Sequence, residues 1–245
     1  MERRGDSGLP ASVENAWGLA AGHGRGRPPT LSLDRIVEAG VRLASAQGLR
    51  SVSMGRVAAE LGSSTMALYR HVATKDELLA LMVDAALGPP PAAATEGWRD
   101  GLAQWAWMYH ERIRAHPWTV RVPISGPPTT PNQVAWLEAA LRLLAPTGLA
   151  EHEKASAVLL LSGYVRGEAT LTAEIEAHFT SADPDRAMSA YADLLRRLLE
   201  PERFPALHAL LAAGVFDHAD DPDVEFAFGL ERILDGIGTL VAARG

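Results

Sequence analysis

Cysteine is absent from the 245 residues, which excludes a disulfide framework, a thiolate metal site and a cysteine nucleophile. No apolar run approaches the roughly 20 residues that span a bilayer, and the N-terminus has no apolar signal core. The chain is therefore expected in the cytoplasm, with no membrane partner. Lysine is scarce: two residues against twenty-one arginines, a bias that, with abundant Ala, Gly and Pro, suggests a high-GC genome. Catalytic fingerprints are missing as well. His110-Glu111 is not followed by a histidine four residues after the first, and His116 is six along, on another helical face. That rules out HExxH zinc geometry, and His152-Glu153-Lys154 fails in the same way. No P-loop, GxGxxG or Ser/His/Asp order occurs in a usable context, so no cofactor, metal site or catalytic residue is expected.

What the chain does contain is 47% hydrophobic residues, enough for a substantial core in one small and one larger unit. Its net charge of −7 is uneven. Residues 1 to 88 hold ten Lys+Arg against nine Asp+Glu, the remainder thirteen against twenty-one. The acidity belongs to the second unit, which leaves a small positive face on the first.

Residues Ser53 to Glu77, SMGRVAAELGSSTMALYRHVATKDE, read as a helix-turn-helix. Val57, Ala58 and Leu61 share one apolar face, Gly62-Ser63-Ser64 breaks the pattern with a turn glycine and an N-cap serine, and Met66, Leu68, Tyr69 and Val72 begin a second short helix. A turn this tight lets the first helix brace on a DNA backbone while the second presents its N-terminal side chains to the major groove. Thr74-Lys75-Asp76-Glu77 then reads as a capping box that starts a further helix.

These residues resemble the tetracycline-repressor (TetR) family. The matching positions are Leu33, Ile36 and Ala39, then Gly48-Leu49, Val57-Ala58, Leu61-Gly62, and Leu68-Tyr69-Arg70-His71-Val72 followed by Lys75 and Leu78-Leu79. The match covers residues 31 to 87. Beyond residue 95, WLEAALRLL, EKASAVLLLSGYVR and FAFGLERILDGI resemble more loosely the family's helical ligand-binding domains. The resemblance implies base contacts from Thr65, Met66, Ala67 and Arg70, and phosphate contacts from Tyr69, His71 and Lys75. Lys75 also stands at a helix N-terminus, where charge and free N–H groups favour an anion. The usual polar position of the first helix is Gly55 here, with Arg56 beside it as a substitute; Ser53 and Ser64 complete the expected DNA-facing set.

The expected fold is all-α: a flexible basic arm over residues 1 to 30, an N-terminal three-helix helix-turn-helix DNA-binding domain over 31 to 88, and a larger helical ligand-binding and dimerisation domain over 95 to 245. In the arm, Arg25-Gly26-Arg27-Pro28 is slender and doubly charged, so Arg25 and Arg27 either enter a narrow minor groove or stay solvated. A short helix around Val13 to Leu19 is expected, anchored by Trp17. The first long helix should run from Ser32 to Gln47 and stop at Gly48, another from Lys75 to Leu87 before Gly88-Pro89-Pro90-Pro91. Further helices are expected over Gly97–His116, Thr130–Leu144, Glu151–Glu176, Ala182–Leu199 and Asp223–Ala242, with a loop over Pro123–Pro131.

Five of the six tryptophans lie in the second unit. Trp105, Tyr109, Trp136 and Tyr164 are the candidate lining of a ligand cavity; the plainer reading is that they fill the core. His110, Arg114, Arg166 and His178 are the polar candidates beside them. In the last helix, Phe226, Leu230, Ile233, Leu234, Ile237 and Val241 form a stripe. With the Tyr191, Leu194, Leu195 and Leu198 face it is expected to complete a four-helix bundle with a second copy, burial within the protomer being the alternative. The function implied is a DNA-binding regulator, most often a repressor in this family, acting as a homodimer on double-stranded operator DNA and released by a small apolar or aromatic effector. The rivals are an enzyme using His110 or His178 as a base, and a regulator governed by a protein partner rather than a ligand.

Overall fold

Hydroxyl side chains begin four consecutive helices. In the computed structural model, which describes residues 10–19, 31–92, 97–178, 183–218 and 221–244, Ser32 Oγ accepts from the Arg35 amide at 3.3 Å to open α2 (Leu33–Gln47). Ser53 does the same for α3 (Met54–Glu60), Ser64 for α4 (Thr65–Tyr69) and Thr74 for α5 (Lys75–Leu87), at 3.1 to 3.2 Å. Each cap is worth about 1 kcal/mol. Glycines with positive φ close the segments where the sequence places the breaks: Gly48 (+78°) ends α2 and Gly62 (+60°) turns α3 into α4. Ile36, Val57, Leu68, Val72, Leu78 and Met82 form the buried centre of this unit.

Ahead of it lies α1 (Ala11–Ala16), the short helix expected near Val13 to Leu19. Val13 is buried, and Ser12 donates to Glu77 Oε2 at 2.7 Å. Glu77 differs from the capping-box expectation here. With Ser12 docked against it, its carboxylate takes the Ala73 amide at 3.2 Å. Arg25 and Arg27 lie outside the described residues.

The second unit is helical throughout, with no strand among the described residues. It comprises α6 (Trp98–Ala115), a 3-10 turn at Pro117–Arg121, α7 (Pro131–Leu144), α8 (Glu151–His178), α9 (Pro184–Leu198), α10 (Pro205–Ala212) and α11 (Pro222–Ala242). Proline is the first residue of α7, α9, α10 and α11, where its missing N–H costs nothing and its φ already suits the helix. Around Leu102, Ile113, Leu161, Phe226, Leu230 and Leu234, all at most 1% exposed, α6, α8 and α11 pack together.

The last helix departs from one sequence expectation. Its stripe is not a free dimer seam: Phe226, Leu230, Leu234 and Ile237 are at most 5% exposed, facing α6 and α8 of the same protomer, while Ile233 and Val241 pack partly against that core. Spacing of three and four shows which residues share a face but not what covers it. Gly229 has a related local cause, because a Cβ there would collide with the Tyr164 ring. The α9 face, with Tyr191, Leu194 and Leu198 exposed, packs chiefly beside α10. Among the described residues, the large apolar side chains left exposed are Leu159, Leu160, Leu171 and Ile175 on α8 and Val224, Phe228 and Leu240 on α11.

The two units share one continuous apolar core, and specific polar contacts join them. Asp84, 6% exposed near the end of α5, reaches the N-terminus of α7. Its Oδ1 accepts from the Asn132 amide at 2.9 Å and the Gln133 amide at 3.0 Å, and its Oδ2 from Asn132 Nδ2 at 3.0 Å. Thr130, the residue placed to cap α7, makes no side-chain cap, and its buried Oγ1 has no partner among the described residues. A carboxylate 48 residues before Asn132 takes over that role. Trp136 Nε1 donates to Gly88 O at 2.9 Å, Trp118 Nε1 to Ser45 Oγ at 3.1 Å, and Trp17 Nε1 to Thr129 O at 2.7 Å.

Candidate DNA-contacting face and effector cavity

Leu68, fully buried, pins the five-residue α4 to the core and turns the rest of that helix outward. Met66 is 72% exposed and Tyr69 46%. Large apolar side chains left in water on so short a helix are suited to contact with thymine methyls and sugar edges. Thr65 and Ala67 are half-buried beside the Ser64 cap. Arg70 stands at the C-terminal end of α4, exposed, and Lys75 is the exposed first residue of α5; neither has a side-chain partner among the described residues. His71 is half-buried. Across the turn, Ser53 caps α3, and the Arg56 guanidinium donates to Gln47 Oε1, which ties it to the end of α2. A Cβ at Gly55 would meet Thr65 Cγ2 at 4.0 Å, an ordinary contact, so α3 and α4 meet there without requiring glycine. The expected residues from Ser53 to Lys75 thus lie along one helix-turn-helix segment.

Three of the four expected cavity residues come together. Trp105 and Tyr109, one turn apart on α6, stack with centroids 5.2 Å apart, and Trp136 of α7 meets them at 5.8 and 5.3 Å. The Trp105 indole is held by its Nε1–H donating to Trp136 O at 3.0 Å. These rings line a cavity of about 550 Å³ between α6, α7, α8 and the loop before α7. Ala155, Leu159, Ser162 and Arg166 of α8 form another wall, repeating at helical spacing, and Ile124, Gly126, Pro127 and Pro128 a further one.

Tyr164 is not on that wall. Its ring stacks on Phe226 at 5.5 Å and its hydroxyl donates to Phe226 O at 2.9 Å, away from the cavity because residue 164 points toward α11. Its pKa is pushed up to about 12, first by burial and then by the carboxylates of Glu168 and Glu225. His110 is a core residue as well, 2% exposed and stacked on Phe226 at 4.1 Å, with burial and then Arg114 lowering its pKa. Arg114 pairs with Asp223 at 2.6 Å, and the His178 side chain lies outside the described residues. Of the polar candidates, only Arg166 lines the cavity. Sequence reading missed the wall from Ile124 to Pro128, since a loop has no periodicity to announce what it covers, and Gln133, whose place in the first turn of α7 does not say which neighbour it faces. It also missed Asp84, although a lone carboxylate inside the apolar run LLALMVDAAL is a visible signal of a buried partner.

Among the described residues no group of His, Asp and Glu is arranged to hold a metal ion, and no helix is long and apolar enough to cross a membrane. Residues 36–82 match the family model for bacterial regulatory proteins of the tetR family, and residues 90–241 that for the tetracyclin repressor-like C-terminal domain. The chain is similar to the HTH-type transcriptional repressor DrrR1 of Streptomyces coeruleorubidus, at 38% identity covering 99% of this chain and 90% of that protein. Apo ActR from Streptomyces coelicolor has the same fold, with a TM-score of 0.75 and 28% identity over 89% of this chain and all of that one. ActR in complex with actinorhodin gives 0.72 and 30% over 89% and 99%.

Proposed function

The chain belongs to the TetR family of DNA-binding transcriptional regulators, which are not enzymes, and we propose that it is a homodimeric cytoplasmic repressor released from its operator by a small apolar, aromatic molecule. One observation carries the effector part of this reading. The aromatic cavity is walled by α7, whose N-terminus is held by Asp84 of α5, the helix that Lys75 begins on the DNA-contacting side. A ligand that moves α7 therefore acts on α5, the helix that follows α4 in the chain and packs on α2 of the same unit. Effector binding then favours a spacing of the two recognition helices that no longer matches half-sites about 34 Å apart. By linkage, operator DNA weakens effector binding by the same factor. That ActR, similar to this chain in fold, forms a complex with actinorhodin supports a small-molecule ligand for this chain.

The dimer in this reading pairs α8 and α11 with their copies. Leu160, Phe228 and Leu240 supply exposed apolar contact, and Gly236, with open space at its Cβ position, allows close approach. Selection from random double-stranded DNA, followed by titration of the enriched site against a panel of aromatic compounds, tests the whole proposal. An inverted repeat, and at least one compound that weakens its binding tenfold or more, are expected. Enrichment of no sequence would overturn the DNA-binding repressor, while a specific site indifferent to every compound would favour control by a protein partner.

A further inference from the structure

Among the described residues, Arg166 is the sole charged one lining the aromatic cavity. It is half-buried, and its guanidinium has no hydrogen-bond or ion-pair partner among the described residues. Several arginines of this unit are ion-paired, Arg99 with Glu231 and Asp235, Arg114 with Asp223 and Arg196 with Asp193 and Asp217, whereas Arg112, Arg121, Arg142, Arg186 and Arg203, without an ion pair among the described residues, are exposed to water, which Arg166 is only in part. A partly desolvated guanidinium without an acceptor is costly, and that cost falls when a bound molecule brings one.

The position of Arg166 adds direction. A smaller cleft of about 210 Å³ adjoins the cavity and shares Gln133 and Arg166 with it, reaching α5 at Leu79, Ala80 and Val83. Asp76 lies on this cleft, so a negative group is repelled from the α5 side and favoured on the aromatic side of Arg166. On that side Arg166 lines an apolar chamber whose other polar side chains include Gln133 and Ser162, and Ser162 Oγ already donates to Val158 O at 2.8 Å. Its oxygen remains free to accept, whereas Arg166 can only donate.

We propose that the effector is an aromatic acid, its ring system against Trp105, Tyr109 and Trp136 and its carboxylate, or an equally compact anion, bound by Arg166. This rests on the effector-cavity reading above. Bidentate pairing of a guanidinium with a carboxylate gives both orientation and affinity in such a chamber, and selectivity follows because a neutral analogue leaves the guanidinium unpaired.

The test uses the full-length protein and two fluorescent probes of nearly the same shape, anthracene-2-carboxylate and its methyl ester, with quenching of tryptophan emission as readout. The acid is expected to bind about 10- to 100-fold more tightly than the ester, the range of a charge-assisted pair. Arg166→Gln should bring the acid down to the ester's level and leave ester binding unchanged, which also shows that the variant is folded. Arg166→Lys should retain part of the preference. Equal binding of acid and ester to the wild type, both weakened together by Trp136→Phe, would overturn the anion site and leave the aromatic cavity standing. Binding of neither compound would overturn the cavity reading and this inference with it.

Discussion

Replacing Asp84 by alanine tests the junction through which the proposed coupling between the two units runs. The carboxylate accepts two backbone amides, at Asn132 and Gln133, and the Asn132 side-chain amide. Those amides belong to the second and third residues of α7, the positions an N-cap normally satisfies. With Thr130 making no cap and Asp84 removed, both are left without a protein acceptor at a part-buried helix end. Hydrogen bonds to a charged acceptor are worth about 1.5–3 kcal/mol each, and water recovers part of that, so a net loss of about 3 kcal/mol is expected. At about 2–4 °C per kcal/mol for a chain of this length, the melting temperature should fall by about 6–12 °C. Asp84→Asn keeps one acceptor oxygen but turns an NH2 toward amide donors, and should fall between the two. Because Asp84 touches no residue of the DNA-contacting face, operator affinity without effector should change less than about threefold, an energy under 1 kcal/mol. The effector-induced loss of binding should shrink. Thermal melting by circular dichroism and anisotropy of a labelled operator, with and without effector, measure both. A variant melting within about 1 °C of wild type, a difference of at most a few tenths of a kcal/mol, would refute the idea that Asp84 caps α7.

Lys75→Ala should weaken binding to all DNA sequences alike and reduce the log–log salt slope by about 1, whereas Arg70→Ala should cost about 1–3 kcal/mol and relax preference at one position; equal losses on specific and random DNA for Arg70→Ala would exclude it as a base reader. Phe228→Asp combined with Leu240→Asp should give folded monomers in sedimentation, while Ile237→Asp, which buries a charge inside the protomer, should lower the melting temperature sharply instead. A dimer that survives the first pair would move the interface elsewhere. Acid should destabilise the protein through His110 and His116, whose pKa values burial lowers. The unfolded chain takes up those protons near pH 6.5, so stability is full above about that pH and is lost as the pH falls through it toward the folded-state values. His110→Phe keeps the stack on Phe226 and removes one proton from this balance, so its melting temperature should drop less between about pH 7 and 5 than that of the wild type; an unchanged pH dependence would remove His110 from the account.

Where helices begin and end was legible in the sequence because those signals are local. A hydroxyl at residues 32, 53, 64 and 74 bonds an amide three residues on, glycine at 48 and 62 takes the positive φ that stops or turns the chain, and proline at 131, 184 and 222 opens a helix close to where one is expected, whereas α10, opened by Pro205, falls in a Pro-punctuated stretch for which no helix is expected. The helix-turn-helix, contained in 25 residues, was readable for the same reason, as was the meeting of Trp105 with Tyr109 one turn away. What the tertiary structure alone decided were contacts between residues far apart in sequence: Asp84 on the end of α7, Ser12 on Glu77 across 65 positions, and Trp17 on Thr129 across 112. It also decided that α6 and α8, rather than a second copy, cover the stripe of α11, and that Tyr164 turns to Phe226 while the loop from Ile124 closes the cavity. Periodicity gives each helix a face and leaves the partner of that face open, because burial rewards removal of apolar area from water whichever surface removes it; only the packed arrangement of all the helices selects among those surfaces.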